Sequence, residues 1–135
     1  MYITQSLINF LNSSTSLSNS NIILTDLEQV VFASSDIEKN YLNRKLNKSL
    51  TQILDSSSLA SCSYLNNARE SILPLIIDDN VLKYRSQIIL PIIHSNAPDG
   101  LLIFFTDDRK YLPSNLRFAE TTKYFVEVFS TKDYM

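Results

Sequence analysis

The sequence predicts an α+β fold in which an antiparallel sheet packs against helices. Two strongly apolar runs, residues 84–93 and 101–106, are separated by a short turn-forming segment, which is the pattern of two adjacent antiparallel strands. Two further β-favouring runs lie within residues 21–34. Apolar residues recur at helical spacing near the amino terminus and over residues 114–130. Antiparallel strands with flanking helices make an α+β sheet sandwich.

Length and composition favour one domain, spanning residues 1–135, that needs no disulfide or metal ion to fold. A chain of 135 residues buries roughly two thirds of its unfolded surface. Twelve Lys and Arg against fourteen Asp and Glu give a net charge of −2, and the basic residues are scattered, so we expect no nucleic-acid surface. The apolar runs are too short for a bilayer and the amino terminus does not resemble a signal peptide. We therefore expect a cytoplasmic protein with no membrane partner.

The first third of the chain predicts a helix, a hairpin and a second helix. Apolar residues at i, i+4, i+7 and i+8 indicate a helix over about residues 3–12, followed by a polar loop over 13–20. Residues 21–34 predict a hairpin with its turn at 26–28. Leucines at helical spacing predict a helix over 37–54, which either breaks near Asn47 or ends near Asp55.

The middle of the chain carries the weakest signal. Residues 56–71 fit either a short helix or a loop. Residues 72–77 are apolar but include Pro74, which cannot donate to a strand ladder, so they predict an edge strand or a loop lying on the core.

The last third predicts the central strand pair and the longest helix. The strands at 84–93 and 101–106 are continuously apolar, which is typical of strands covered on both faces. We place their turn at residues 96–100 and assign the only glycine, Gly100, to turn geometry. Pro113 suits the first turn of a helix over 114–130. The apolar stripe of this helix is wide, which indicates either a large core contact or contact with a partner as well as the sheet.

Three segments in this order resemble a GAF-type domain, and more closely the C-terminal domain of the stage V sporulation protein T family of transcriptional regulators. The segments are Ile22-Ile23-Leu24-Thr25-Asp26 with Gln29-Val30-Val31-Phe32-Ala33, then Lys39-Asn40-Tyr41-Leu42-Asn43-Arg44-Lys45-Leu46, then Pro91 to Asp107 with Pro98-Asp99-Gly100 inside it. The resemblance covers roughly residues 4–130. It implies that the amino- and carboxy-terminal helices lie on one face of the sheet and a helix-and-loop cover on the other.

The resemblance also implies a regulatory function without catalysis. In that family a swapped-hairpin DNA-binding domain precedes this one; these residues lack it, so we expect no direct contact with nucleic acid. The domain is expected to form dimers or tetramers through its terminal helices. The residues that we expect at that interface are Leu7, Phe10, Leu11, Phe118, Phe125 and Phe129.

An alternative function is small-molecule sensing, with a pocket under the cover formed by residues 37–80. Polar side chains that this resemblance brings near the pocket include Tyr64 and Arg69, and we take Tyr41, Tyr84 and Arg85 as the ligand-binding candidates. An inward Arg85 would need a partner, and a solvent-facing Arg85 is the more ordinary arrangement.

Catalytic and metal-binding residues are not indicated. His94, the only histidine, has no evident partner base in the sequence, and Cys62, the only cysteine, has no basic neighbour to activate it and excludes an internal disulfide. The pairs Asp78-Asp79 and Asp107-Asp108 are better explained as turn residues. We therefore expect no metal, no cofactor and no enzymatic activity, although a small enzyme remains a third, less favoured alternative.

Overall fold

A computed structural model describes residues 1–55, 63–79 and 84–130. Its regular elements are, in chain order, helix α1 (Gln5–Ser18), strands β1 (Asn21–Thr25) and β2 (Val30–Ala33), helices α2 (Glu38–Tyr41) and α3 (Lys48–Asp55), strands β3 (Tyr64–Asn66), β4 (Ser86–His94) and β5 (Ala97–Thr106), and helix α4 (Pro113–Phe129). The strands form one antiparallel sheet in the order β2-β1-β5-β4-β3. The predicted α+β fold is therefore confirmed.

The side chains of the central strands alternate between two apolar cores. On β5, Leu102 and Phe104 pack against α1 and α4, whereas Ile103 and Phe105 pack beneath the cover that contains α2, α3 and residues 72–77. This period-2 alternation explains the continuous apolar runs in the sequence, since both faces of the strands are buried. The terminal helices on one face and the cover on the other match the predicted layers.

Helix α1 continues beyond its predicted end into the polar segment. Thr4 caps its start by accepting a hydrogen bond from the Leu7 amide at 3.1 Å. Ser14 and Thr15, predicted to lie in a loop, instead donate their hydroxyls to main-chain carbonyls four residues earlier, both at 3.0 Å. Ser14 is buried and Thr15 contacts the Ser34 hydroxyl. These tertiary contacts extend the helix beyond Asn12, where the apolar pattern in the sequence ends.

The predicted helix over residues 37–54 is two short helices with an extended segment between them. Asn43, between the helices, has a φ of 66°, which lies in the left-handed region and interrupts helical geometry. Lys45 and Leu46 bridge to Gln29 and Ile76 instead. The break therefore begins at Leu42, before the expected break near Asn47, and residues 72–77 form a loop lying on the core rather than an edge strand.

The turn between β4 and β5 is tighter than predicted. Ser95 and Asn96, with φ values of 52° and 65°, connect His94 directly to Ala97. Gly100 is a strand residue, not a turn residue. A Cβ at Gly100 would lie 1.9 Å from the main-chain oxygen of Thr25, so the close approach of β1 requires glycine there.

Candidate functional site

The cover is joined to the sheet by two tyrosines and a carboxylate. Tyr41 ends α2 and Tyr84 precedes β4, and both rings pack on Phe105 at centroid distances of 5.4 and 5.1 Å. The Tyr84 hydroxyl donates to Asp79 Oδ2 at 2.5 Å, and the Tyr41 hydroxyl donates to Asp79 Oδ1 at 3.5 Å. The two hydroxyls also contact each other. The structure thus brings together two of the three predicted ligand-binding residues.

Burial and the neighbouring carboxylate keep these two phenols protonated. Burial is the largest cause that raises the pKa of Tyr41, to about 12, despite the opposing hydrogen bond with Tyr84. Burial and then the hydrogen bond to Asp79 raise the pKa of Tyr84 well above its usual range. Asp79 is held in turn by the Leu75 amide, which donates to its Oδ2 at 2.7 Å. The cluster is therefore a satisfied polar network that links the cover segment to the sheet.

Two cavities have Asn40 and Tyr41 in common in their walls. One, of about 140 Å³, is lined by residues that include Phe105, Tyr84 and Asp107. The other, of about 240 Å³, is lined by residues that include Arg44 and Asp79. Each is smaller than the roughly 300–1,000 Å³ that is usual for small-molecule pockets.

Arg85 does not line either of these cavities. Its guanidinium donates to the main-chain oxygen of Asn67 at 3.2 Å, and its amide donates to the Thr106 carbonyl at 2.7 Å. Arg85 is half-buried. We therefore restrict the candidate ligand site to Tyr41 and Tyr84.

A buried glutamine on β4 holds the cover in place and was missed in the sequence. Gln87 is fully buried; its Oε1 accepts from the Leu73 amide at 2.7 Å, and its Nε2 donates to the Leu73 carbonyl at 3.1 Å. Asn66 Nδ2 also donates to Gln87 Oε1. The sequence does carry a signal for this residue: Gln87 is polar within a continuously apolar strand, and a buried side-chain amide needs hydrogen-bond partners.

The other face of the sheet carries an aromatic cluster between the terminal helices. The amide of Tyr2 donates to the carbonyl of Ser130 at 2.8 Å, so the start of α1 lies beside the end of α4. Phe125 stacks on Phe129 with centroids 5.9 Å apart, and Phe10 lies 5.5 Å from Phe125. We call Phe10, Tyr124, Phe125, Val128 and Phe129 the aromatic patch.

Two of the six predicted interface residues lie beneath these helices instead. Leu7 and Leu11 are fully buried against the sheet. Phe118 is partly buried, as Phe10 and Phe129 are, and meets Phe104 edge to face at 6.4 Å. Side chains fully buried within one protomer cannot form its outer surface. The interface prediction is therefore corrected for Leu7 and Leu11, and stays a prediction for Phe10, Phe118, Phe125 and Phe129.

His94 has the partners that the sequence did not indicate. Its Nδ1 lies 2.8 Å from Asp99 Oδ2, and its Nε2 lies 3.2 Å from Ser130 Oγ. This resembles the spacing of a catalytic triad. Ser130 is fully buried, however, and donates its hydroxyl to the Val126 carbonyl at 2.5 Å, so it is not presented as a nucleophile.

Two further features are absent from the part of the chain that the structure describes. No group of three or more His, Cys, Asp or Glu is placed there to hold a metal ion. None of the described helices combines the length and hydropathy needed for a bilayer span. Cys62 lies outside the described residues.

The chain belongs to a family of regulators, and its fold is that of a GAF domain. Residues 4–127 match the family described as stage V sporulation protein T C-terminal, transcription factor. That match confirms the family that the three sequence segments resemble. A comparison with curated protein sequences gives no match.

Solved structures with this fold include GAF domains from several organisms. The cofactor-binding GAF domain of the nutrient sensor CodY from Clostridium difficile aligns with a TM-score of 0.64 and 16% identity, over 87% of this chain and 80% of that one. The blue-light absorbing PixJ GAF domain from Thermosynechococcus elongatus aligns at 0.64 and 12%, over 91% and 86%. A GAF domain/HD domain protein from Geobacter sulfurreducens aligns at 0.63 and 8%, over 92% and 91%. At these identities the likeness shows the fold alone.

Proposed function

We propose that this chain is a cytoplasmic, non-enzymatic regulatory module that associates with a second copy through the outward face of α1 and α4. The observation that carries the proposal is the aromatic patch. Tyr124 is 63% exposed, Phe125 38% and Val128 36%. Burying large apolar side chains is favourable, so contact with a second copy would stabilise this face. Family membership supports a regulatory function.

The chemistry of the patch favours an identical partner. Phe10, Phe125 and Phe129 hold one another in place, so ordering them at an interface costs little conformational entropy. Lys123 and Glu127 neutralise each other on α4 at 2.9 Å. In a twofold interface the same surface meets itself, and an uncharged aromatic surface is self-complementary in a way that a charged one is not.

Light scattering on variants tests this proposal. We expect Tyr124→Ser and Phe125→Ser to shift the protein toward monomer, because aromatic side chains at the centre of an interface carry much of its binding free energy. Leu27→Ser is the matched control, since Leu27 is 50% exposed in the turn between β1 and β2. Equal association by all three variants would contradict the assignment of the face.

Direct contact with nucleic acid is not part of the proposed function. The near-neutral charge of the chain, with its basic residues scattered, does not provide the phosphate contacts from which nucleic-acid affinity mainly arises. Any DNA contact in the assembled regulator is assigned to other residues. Unchanged mobility of duplex DNA at low salt is the expected result.

A second candidate function is small-molecule sensing at the two cavities beside Tyr41. The cavities combine aromatic walls with carboxylate and amide groups, as ligand sites do. A ligand that reached the tyrosine hydroxyls would have to replace their hydrogen bonds to Asp79. This requirement and the small volumes make sensing the second candidate rather than the first.

Thermal unfolding with a panel of nucleotides, amino acids and other metabolites tests sensing. A ligand that binds the native state raises the unfolding midpoint. The rise should shrink in Tyr41→Phe, which lacks the hydroxyl of a residue that lines both cavities. A rise that is equal in Tyr41→Phe and the unmodified chain would place the ligand elsewhere.

A further inference from the structure

His94 joins the tip of the β4–β5 hairpin to the last turn of α4. Its Nδ1 lies 2.8 Å from Asp99 Oδ2 on β5, and its Nε2 lies 3.0 Å from the Glu127 carbonyl oxygen. Ser130 Oγ is the third neighbour, at 3.2 Å from Nε2. We call His94, Asp99, the Glu127 carbonyl and Ser130 the histidine clasp.

Every neighbour of the imidazole presents a lone pair. Asp99 contributes a carboxylate oxygen and Glu127 a carbonyl oxygen, and neither can donate. Ser130 donates its hydroxyl proton to the Val126 carbonyl at 2.5 Å, so only its lone pairs face the ring. A neutral imidazole donates from one nitrogen, whereas the imidazolium donates from both. The observed contacts are therefore fully satisfied only when the ring carries two protons.

We propose that the histidine clasp is a pH-sensitive contact between the last turn of α4 and the β4–β5 hairpin. The contact holds when the His94 ring carries two protons and breaks when the ring loses one of them. The Asp99 carboxylate retains the proton on Nδ1. Loss of the proton from Nε2 leaves two lone pairs facing each other across 3.0 Å to the Glu127 carbonyl. The Ser130 hydroxyl can then satisfy Nε2 only by leaving Val126.

The surrounding charges come from β5, α4 and the amino terminus of the chain. On β5, Asp99 also accepts from the amino group of Met1 at 3.2 Å. On α4, the Glu127 carboxylate is already engaged, because it accepts from Lys123 at 2.9 Å and from the Ile93 amide at 2.7 Å. Asp99 is therefore the carboxylate in direct contact with the imidazole.

Amide hydrogen exchange on the unmodified chain tests the clasp. We compare the protection of amides in the last turn of α4, residues 126–130, with that of residues 119–122 of the same helix, after correction for the intrinsic effect of pH on exchange. As the pH is raised from about 5 to about 8, the protection of the last turn should fall about tenfold relative to the reference. An unchanged ratio overturns the proposal.

The variant His94→Gln supplies the matched comparison. Glutamine keeps a donor but does not titrate, so the ratio should stay constant with pH in this variant. The same pH dependence in His94→Gln as in the unmodified chain would assign the effect to another group and overturn the proposal. Residues 126–130 include Val128 and Phe129 of the aromatic patch, so the ratio is also measured in Phe125→Ser, which leaves the clasp intact. The same fall in Phe125→Ser assigns the effect to the clasp, whereas a fall only in the unmodified chain would assign it to self-association and overturn the proposal. Self-association rests on the proposed function and is measured separately by light scattering.

Discussion

Replacement of Gly100 by alanine should strongly destabilise the sheet. The added Cβ would lie 1.9 Å from the Thr25 oxygen and 2.9 Å from the Thr25 carbonyl carbon. These are main-chain atoms of β1, which pairs with both β2 and β5, so the clash cannot be relieved by rotating a side chain. Gly100 does not have a positive φ, and the cost is therefore steric rather than conformational.

The size of the effect follows from the distance. Ordinary contact begins at 3.4 Å, so β1 must move away by about 1.5 Å, which breaks hydrogen bonds along the ladder. Overpacking typically costs about 1–3 kcal/mol where side chains can adjust, and we expect about 3 kcal/mol or more here. Urea unfolding followed by circular dichroism measures the loss.

A matched control lies on the same strand. Ala97→Ser adds one heavy atom at an exposed position of β5 and should change the free energy of unfolding by less than about 0.5 kcal/mol. A Gly100→Ala variant as stable as Ala97→Ser would refute the close approach of β1 as the reason for glycine.

Three further substitutions test the networks that position the cover and the clasp. Gln87→Leu should lower the free energy of unfolding by about 2–4 kcal/mol in urea titrations, because it leaves the amide and carbonyl of Leu73 without their buried partner. Because the pKa values of Tyr41 and Tyr84 are raised, the native state holds more protons than the unfolded state above about pH 10, and stability should fall from there towards pH 12. Tyr84→Phe should make this fall shallower, which tyrosinate absorbance and circular dichroism followed together would measure. Burial alone would raise the pKa of Asp99, but hydrogen bonds from His94 and the amino terminus outweigh burial and lower that pKa. Stability should therefore be lost as the pH falls below about 4, and Asp99→Asn should flatten this part of the acid-unfolding profile.

The sequence predicted the elements whose pattern is local. The β4–β5 pair and α4 are confirmed because continuous apolar runs and a proline at the first helical turn reflect interactions within the element. The turn was misplaced because Gly100 looks like a turn residue when only its neighbours in sequence are considered. Its actual constraint is Thr25, which lies 75 residues earlier in the chain.

The candidate site was predicted only in part, for the same reason. Tyr41 and Tyr84 were placed together by the family resemblance. Their partner Asp79 was taken for a turn residue, and Gln87 was not noticed, because each acts through a contact distant in sequence: Asp79 with Tyr41, and Gln87 with Leu73. The burial of Leu7 and Leu11 is likewise a tertiary fact: an amphipathic helix has one apolar face, and the sequence does not say whether that face meets the sheet or a second protomer.

We propose that the outward face of α1 and α4 joins two copies of the chain. Sedimentation velocity on the unmodified protein over a wide concentration series measures this most directly. We predict a species of at least twice the monomer mass that Phe125→Ser converts to monomer. A single monomeric species at every concentration would contradict the account.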